Sequence, residues 1–299
     1  MKIFRPSLFL FLAICFAQNV FAQDDDEIIK VDSSIVVLNA SVTDPKGNSV
    51  GNLKKAQFKI FEDGIEQEIS VFETQETPFA AVILLDTSGS MEERVSLARS
   101  ATINFLDGVR ADDNVSIYNF DSKVSLVQDF SNSRDLRERF YELKADGWTV
   151  LNDAIFEAAQ TLAKRPEKRR AIIVLSDGAD TRSRYSSEKA LKAALGVNAT
   201  IYTVDMSAIT SNGRDRIQNL GVLKNFAEKT GGLFVPAPGG LAMRDAFKNI
   251  VSELGVQYTL GYNPANTKKD GKWRNIELRV SRPNLKIRTR KGYNAPKVK

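Results

Sequence analysis

Asp86, Ser88 and Ser90 stand at alternate positions in a D-x-S-x-S stretch, and each side chain ends in a hard oxygen donor. Two further turns carry matching donors. Thr149 lies in Asp146-Gly147-Trp148-Thr149-Val150-Leu151, and Asp177 in Ser176-Asp177-Gly178. A set of carboxylates and hydroxyls with no nitrogen or sulfur suits Mg²⁺, Mn²⁺ or Ca²⁺ rather than zinc or copper, with Mg²⁺ as the first expectation. The chain of 299 residues has no histidine and a single cysteine, Cys15. His-based triads, His zinc sites and His general bases are thereby excluded.

Each of these residues also has a plain reading. Ser88 and Ser90 are residues that cap helix N-termini, and Asp-Gly at 177–178 is ordinary turn chemistry. Together with Asp86 and Thr149, the set favours a metal. Trp148 reads either as an aromatic that touches ligand or as a packed loop residue. Asp205, at the end of another strand on the same edge, reads as a group behind the ion or as a loop anchor. Both are placed at the ligand-binding rim. Asp180 is read as solvated. Enzyme readings are weaker. Asp-Thr-Ser-Gly departs from the aspartic-protease D-T-G because Gly89 comes one position late. A haloacid-dehalogenase-type phosphotransferase needs an acid where Ser88 stands, and neither a phosphate loop nor G-x-G-x-x-G occurs. An open Mg²⁺ site can activate water. Here both carboxylates are committed to the ion, which leaves no obvious general base, so no catalysis is expected.

Positioning three turns together requires a particular scaffold. Ala80–Leu85 is a continuous apolar run ending at Asp86, the pattern of a strand buried on both faces of a parallel sheet. A second such strand, Arg170–Leu175, stops at Ser176-Asp177-Gly178. Between and beyond them, strands at 115–120, 124–127, 200–205 and 233–235 alternate with helices at 96–109, 135–144, 151–164, 189–195, 221–229 and 242–254. This alternation predicts an α/β doubly wound sheet over residues 79–255. In such a sheet the turns at the carboxyl ends of the strands share one edge, where ligands bind. The flanks are different. Residues 30–75 hold a strand at 35–43 and two alternating strands over 58–72 about Asp63-Gly64, a hairpin signal. Residues 256–295 hold strands at 258–261, 274–280 and 286–289. Neither flank has the length to bury a core alone, so the two are expected to pair into one small β-sandwich into which the α/β domain is inserted.

The three turns, in the forms D-T-S-G-S-M, G-W-T-x-L-x-x-A-I and V-L-S-D-G-A-D, resemble the metal-ion-dependent adhesion site of von Willebrand factor type A domains. The likeness covers roughly Phe79 to Gly255; Trp148 departs from the small or polar residue more usual there. The resemblance implies a Rossmann-like fold and a divalent cation held by Asp86, Ser88, Ser90, Thr149 and Asp177. It also implies a protein partner gripped through an Asp or Glu that becomes the last ligand. It further implies that the last helix can shift on binding. Val42-Thr43-Asp44 with Phe58, and Arg290-Lys291-Gly292-Tyr293, look like the outer segments of the larger VWFA-related proteins described from Acidobacteria. The electrostatics agree with such a site: a helix N-terminus repels a cation, and Asp86 and Asp177 offset that while balancing the charge of the ion.

The amino terminus reads as a secretory signal over residues 1–22. Lys2 and Arg5 precede the apolar Leu8–Phe16, and Val20-Phe21-Ala22 is a cleavage site before Gln23. The apolar core is short for a membrane span, and no later run is longer, so an exported chain with no membrane-spanning segment is expected, periplasmic or secreted. A lipid anchor on Cys15 is disfavoured because Ile14 precedes it. Asp24-Asp25-Asp26-Glu27 lies within an acidic tail, residues 23–29. From Lys268 to Lys299 twelve basic residues face two acidic ones. Their alternation reads as the solvated face of strands, and no nucleic-acid partner is expected.

Overall fold

The computed structural model describes residues 35–74, 77–207, 213–236 and 240–297. The signal segment with Cys15 and the acidic tail lie outside the described residues.

The first strands are Val36–Thr43 (β1), Phe58–Glu62 (β2), Ile65–Gln67 (β3) and Ile69–Glu73 (β4). Asp63 and Gly64, at φ 48° and 85°, make the tight turn from β2 to β3, as Asp-Gly does in two-residue hairpins. The strand expected to run on to Phe72 breaks at Glu68. β3 stays beside β2, and β4 joins another sheet, so one chain crosses the corner between packed sheets.

The central unit then runs through Phe79–Asp86 (β5), Val95–Asp107 (α1), Asn114–Phe120 (β6), Val124–Ser131 (β7), Glu138–Tyr141 (α2) and Leu151–Ala163 (α3). It continues with Arg169–Ser176 (β8), Ser187–Gly196 (α4), Ala199–Asp205 (β9), Arg214–Thr230 (α5), Phe234–Val235 (β10) and Gly240–Val256 (α6). Their sheet has the order β10-β9-β8-β5-β6-β7. It is parallel except at β7, which pairs antiparallel with β6. Every residue of β5 is buried. Phe79, Ala81, Ile83 and Leu85 pack with Phe105 of α1 and Phe247 of α6. Ala80, Val82 and Leu84 pack with Ile155 of α3, Ala194 of α4 and Phe226 of α5. A strand covered by helices on both faces has no polar side to show, which is why its sequence does not alternate.

Two helices differ from expectation. α2 is a single turn around buried Phe140 rather than a helix over 135–144. The Arg137 N–H donates to Gln128 Oε1 (3.4 Å), and the Asp146 N–H donates to the Thr87 carbonyl (2.8 Å), so tertiary bonds take the chain at both ends. α5 begins seven residues before Gly221, which sits inside it. Burial of Leu223 and Phe226 outweighs the low helix propensity of one glycine, about 1 kcal/mol.

The last strands are Tyr258–Tyr262 (β11), Trp273–Val280 (β12), Lys286–Arg288 (β13) and Gly292–Asn294 (β14). They complete two four-stranded sheets, β13-β1-β11-β4 and β14-β12-β2-β3. Strands from the two ends of the chain alternate in the first and lie two by two in the second, and Leu38, Phe58, Ile60, Tyr258, Leu260 and Leu278 share one core between the sheets. β14 has no counterpart in the sequence reading; three residues are too few for a periodic pattern.

The β unit meets the amino edge of the central sheet through buried polar groups. Arg169, fully buried at the start of β8, donates to the carbonyls of Thr77 (3.3 Å) and Thr74 on the link from β4 to β5. Burial pulls its pKa down to about 10. Glu253 of α6 accepts from Ser41 Oγ of β1 (2.7 Å), from the Tyr202 hydroxyl of β9 (2.8 Å) and from Arg288 of β13. Gln257 donates to Tyr202 (2.8 Å) and Ser41 (3.2 Å). Among the described residues no helix is long and apolar enough to cross a membrane.

Removing one member of a buried charged network leaves its partners uncompensated. Glu253→Ala is therefore expected to lower unfolding stability by about 3 kcal/mol, read by urea denaturation against wild type. A loss below about 1 kcal/mol would mean that solvent screens the network as it does a surface pair.

Candidate metal centre

β5, β8 and β9 run parallel and in register, with Leu85 beside Leu175 and Ser176 beside Asp205. Their carboxyl ends therefore deliver Asp86, Ser176-Asp177 and Asp205 to one edge. Asp86 is fully buried there. Its Oδ1 accepts from the Ser88 N–H (2.9 Å) and the Ser88 hydroxyl (2.6 Å), and its Oδ2 from the Ser176 hydroxyl (2.5 Å). Ser88 Oγ lies 3.2 Å from Ser90 Oγ. The two serines do not cap a helix: Ser88 precedes a 3-10 turn at Gly89–Met91 without bonding to it through its side chain, and α1 starts only at Val95. The Ser88 hydroxyl is turned to the carboxylate instead, and that of Ser90 to Ser88.

The second loop is fastened to the first by the Asp146 N–H on the Thr87 carbonyl (2.8 Å) and the Gly89 N–H on the Gly147 carbonyl (3.2 Å). This sets buried Thr149 beside the D-x-S-x-S turn. The third loop is fastened in turn to the second. The Thr149 carbonyl accepts from the N–H groups of Thr181 (2.9 Å) and Arg182 (3.1 Å), and the Thr149 N–H donates to Thr181 Oγ1 (2.9 Å). Gly178, at φ 83°, passes under α5 so closely that a Cβ would lie 2.6 Å from the Asn219 carbonyl oxygen. Only glycine meets both conditions. Half-buried Asp177 accepts from the Ala179 N–H (3.0 Å).

Asp86, Ser88 and Ser90 are thus in direct contact, and Thr149 and Asp177 stand on the two loops stitched around them. Trp148 is half exposed at the surface of this edge. Asp205 is buried away from the surface; it accepts from the Ser207 N–H (2.8 Å) and lies 3.9 Å from the Arg216 guanidinium. Asp180 is not solvated as expected. Its Oδ2 accepts from the Asn152 N–H in the first turn of α3 (2.8 Å) and from Ser183 Oγ (2.7 Å). Sequence reasoning missed this and the Ser176 bond to Asp86. A signal existed for Asp180: Val150 cannot cap α3 with its side chain, so the free N–H groups there need an acceptor from elsewhere.

The donor chemistry fits a hard divalent cation. Among the described residues no Lys or Arg pairs with Asp86, and no three or more His, Cys, Asp or Glu side chains suited to a metal converge. Hydroxyls would have to supply the remaining ligands. Burial pushes the Asp86 carboxyl up to about 7; the Ser176 and Ser88 bonds oppose this, and the negative charge of Asp177 adds to it. A buried carboxylate with a second carboxylate nearby is favoured by a cation or a proton that offsets its charge. A cavity of about 630 Å³ between α1 and α6, lined in part by Gly108, Asp113 and Lys248, lies at the other end of α1 and holds none of these donors.

The structure is that of an α/β domain with a doubly wound sheet and an oxygen-lined candidate site at its carboxyl edge. Residues 81–179 match the family model of the von Willebrand factor type A domain. An uncharacterised protein of Synechocystis is 28% identical over 137 residues, which span 44% of this chain and 32% of that protein. The chain thus matches about a third of the length of this curated relative. The solved von Willebrand factor type A structure from Catenulispora acidiphila aligns at a TM-score of 0.51 and 14% identity, over 86% of this chain and 62% of that one. BatB from Bacteroides thetaiotaomicron aligns at 0.48 and 20% identity, over 59% of this chain and 98% of its own. At these identities the likeness is one of fold.

The Asp86 carboxyl titrates in the metal-free folded protein well above its ordinary value of 3.8. The folded state then holds a proton that the unfolded chain has released. The associated stability is complete below the ordinary value and is lost as pH rises through about 7. Thermal unfolding in EDTA is expected to show this decline, on the order of 4 kcal/mol, and Asp86→Asn to flatten it. An equal pH slope in both proteins would assign the decline to other groups.

Proposed function

We propose that this chain is an exported protein-binding module that captures a carboxylate of a partner protein through a divalent cation, Mg²⁺ in the first place. Asp86, Ser88, Ser90, Thr149 and Asp177 hold the ion, directly or through water. The observation that carries the reading is Asp86: a buried carboxylate with no protein cation beside it and a second carboxylate opposing its charge. When bound, the ion supplies an electrophilic position that accepts an oxygen ligand from outside. The two carboxylates balance the formal charge of the ion, and the three neutral donors leave it electrophilic toward that ligand. The protein groups orient the site: Ser176 holds Asp86, and the Thr181 loop holds Thr149. The proposal includes no turnover, since both carboxylates are engaged by the ion. The match to a family domain and the edge placement support the reading.

Cation binding to the folded state raises stability by mass action, by about 2.7 kcal/mol at a hundredfold excess over Kd. Thermal unfolding is expected to rise with Mg²⁺ in wild type, and to rise much less in Thr149→Ala and Ser90→Ala. A partner pulled from the exported proteins of the source cell is expected only with Mg²⁺ present, and not with EDTA or from Ser90→Ala. Equal capture in all three would move binding away from this site. Export rests on the pattern of residues 1–22, and the mature protein is expected to begin at Gln23 on amino-terminal sequencing. Retention of Met1 in the cell interior would overturn it.

A further inference from the structure

We infer that Trp148 and Arg182 form a second recognition point beside the cation, which reads an additional acidic side chain on the partner. This rests on the proposed function and adds to it the chemistry of the partner segment. The Arg182 guanidinium lies 4.4 Å from the centre of the Trp148 ring. Arg182 is exposed and Trp148 half exposed. Both adjoin Thr149: Trp148 precedes it, and the Arg182 N–H donates to its carbonyl (3.1 Å). Trp148 is fixed as well, its N–H donating to Ser122 Oγ (3.0 Å).

Arg182 lacks the ion pair that holds several other arginines of the chain. Arg110, Arg165, Arg274, Arg279 and Arg288 each pair with a carboxylate of this chain. Among the described residues no carboxylate pairs with Arg182; its head is held on an aromatic face. Stacking orders a guanidinium and leaves its N–H groups free in its own plane, a fork matched to a carboxylate. An ordered cation without a partner, beside a site proposed to take an acidic residue, matches an occupant with two acids. That occupant is an extended segment of a partner protein: one acidic residue meets the ion, and a second, two positions on, reaches Arg182. Residues two apart in an extended chain face the same side, about 6.6 Å apart. Without residues 1–22, which hold Lys2 and Arg5 and no acid, the net charge of +5 falls to +3, and its sign still favours such a partner at long range.

The test uses the full mature chain with Trp273→Phe, so that Trp148 is the sole tryptophan and its fluorescence reports directly. Two blocked synthetic peptides serve as probes, one with a single aspartate, the other with an added glutamate two positions on. With saturating Mg²⁺, the two-acid peptide is expected to bind about tenfold more tightly and to change Trp148 emission. Arg182→Gln is expected to abolish the preference while keeping the affinity for the one-acid peptide, and Arg182→Lys to restore part of it. Equal binding of both peptides, or an undiminished preference in Arg182→Gln, would overturn this inference and leave the proposed function standing. Failure of both peptides to bind wild type with Mg²⁺ would overturn the carboxylate-capture reading, and this inference with it.

Discussion

A carboxylate at the end of an otherwise apolar, fully buried strand is the constraint around which this molecule is arranged. Asp86 cannot reach water, because β5 lies mid-sheet with helices on both faces. Its oxygens must be satisfied by the protein. Ser88, within the same turn, and Ser176, from the adjacent strand, provide for that. Those bonds organise the neighbouring loops in turn. Thr87 receives the second loop, Gly178 packs under α5, and Asp180 accepts from the first turn of α3. What hydroxyls cannot do is cancel charge, and the proximity of Asp177 adds to the deficit. The proposed cation would resolve an electrostatic conflict already built into the fold.

The sheet separates two kinds of work. Its carboxyl edge carries the loops of the candidate centre. Its amino edge carries the joint to the β unit, through Arg169 and the Glu253 cluster. Eight residues of β5 at about 3.3 Å each put roughly 23 Å between Asp86 and Phe79. The last helix is held at two points: Phe247 packs against the sheet, and Glu253 is tied to β1, β9 and β13. A shift of α6, which the family resemblance implies for some relatives, would here meet a buried charged network. The β unit thus ties the carboxyl-terminal part of that helix to β1 and β13.

At the candidate rim the two residues singled out by type behave differently. Asp205 is an internal fastener, buried and taken up by the Ser207 N–H and Arg216. Trp148 is open to solvent and carries Arg182 on its face. The difference has a simple source. Asp205 is the last residue of an internal strand, and its carboxylate is taken up by the Ser207 N–H two residues on. Trp148 lies in a loop that Gly147 bends at φ 73°, which lifts the next side chain off the core.

The sequence by itself determined the elements and the donors. Apolar runs stopping at Asp86 and at Ser176-Asp177 mark buried parallel strands, because only a strand covered on both sides lacks polar alternation. The absence of histidine and the oxygen-only turns set the class of ion that could bind. Tertiary structure alone decided how these pieces are held. The break of the 58–72 hairpin at Glu68, the shortening of α2 and the reach of α5 through Gly221 depend on which sheet or core each segment meets, a choice that outweighs local propensity. The roles of Ser176, Asp180, Thr181 and Arg182 likewise come from residues far apart in the chain. No local spacing records a hydrogen bond between loops 30 or 90 residues apart, and that is where the geometry of this site resides.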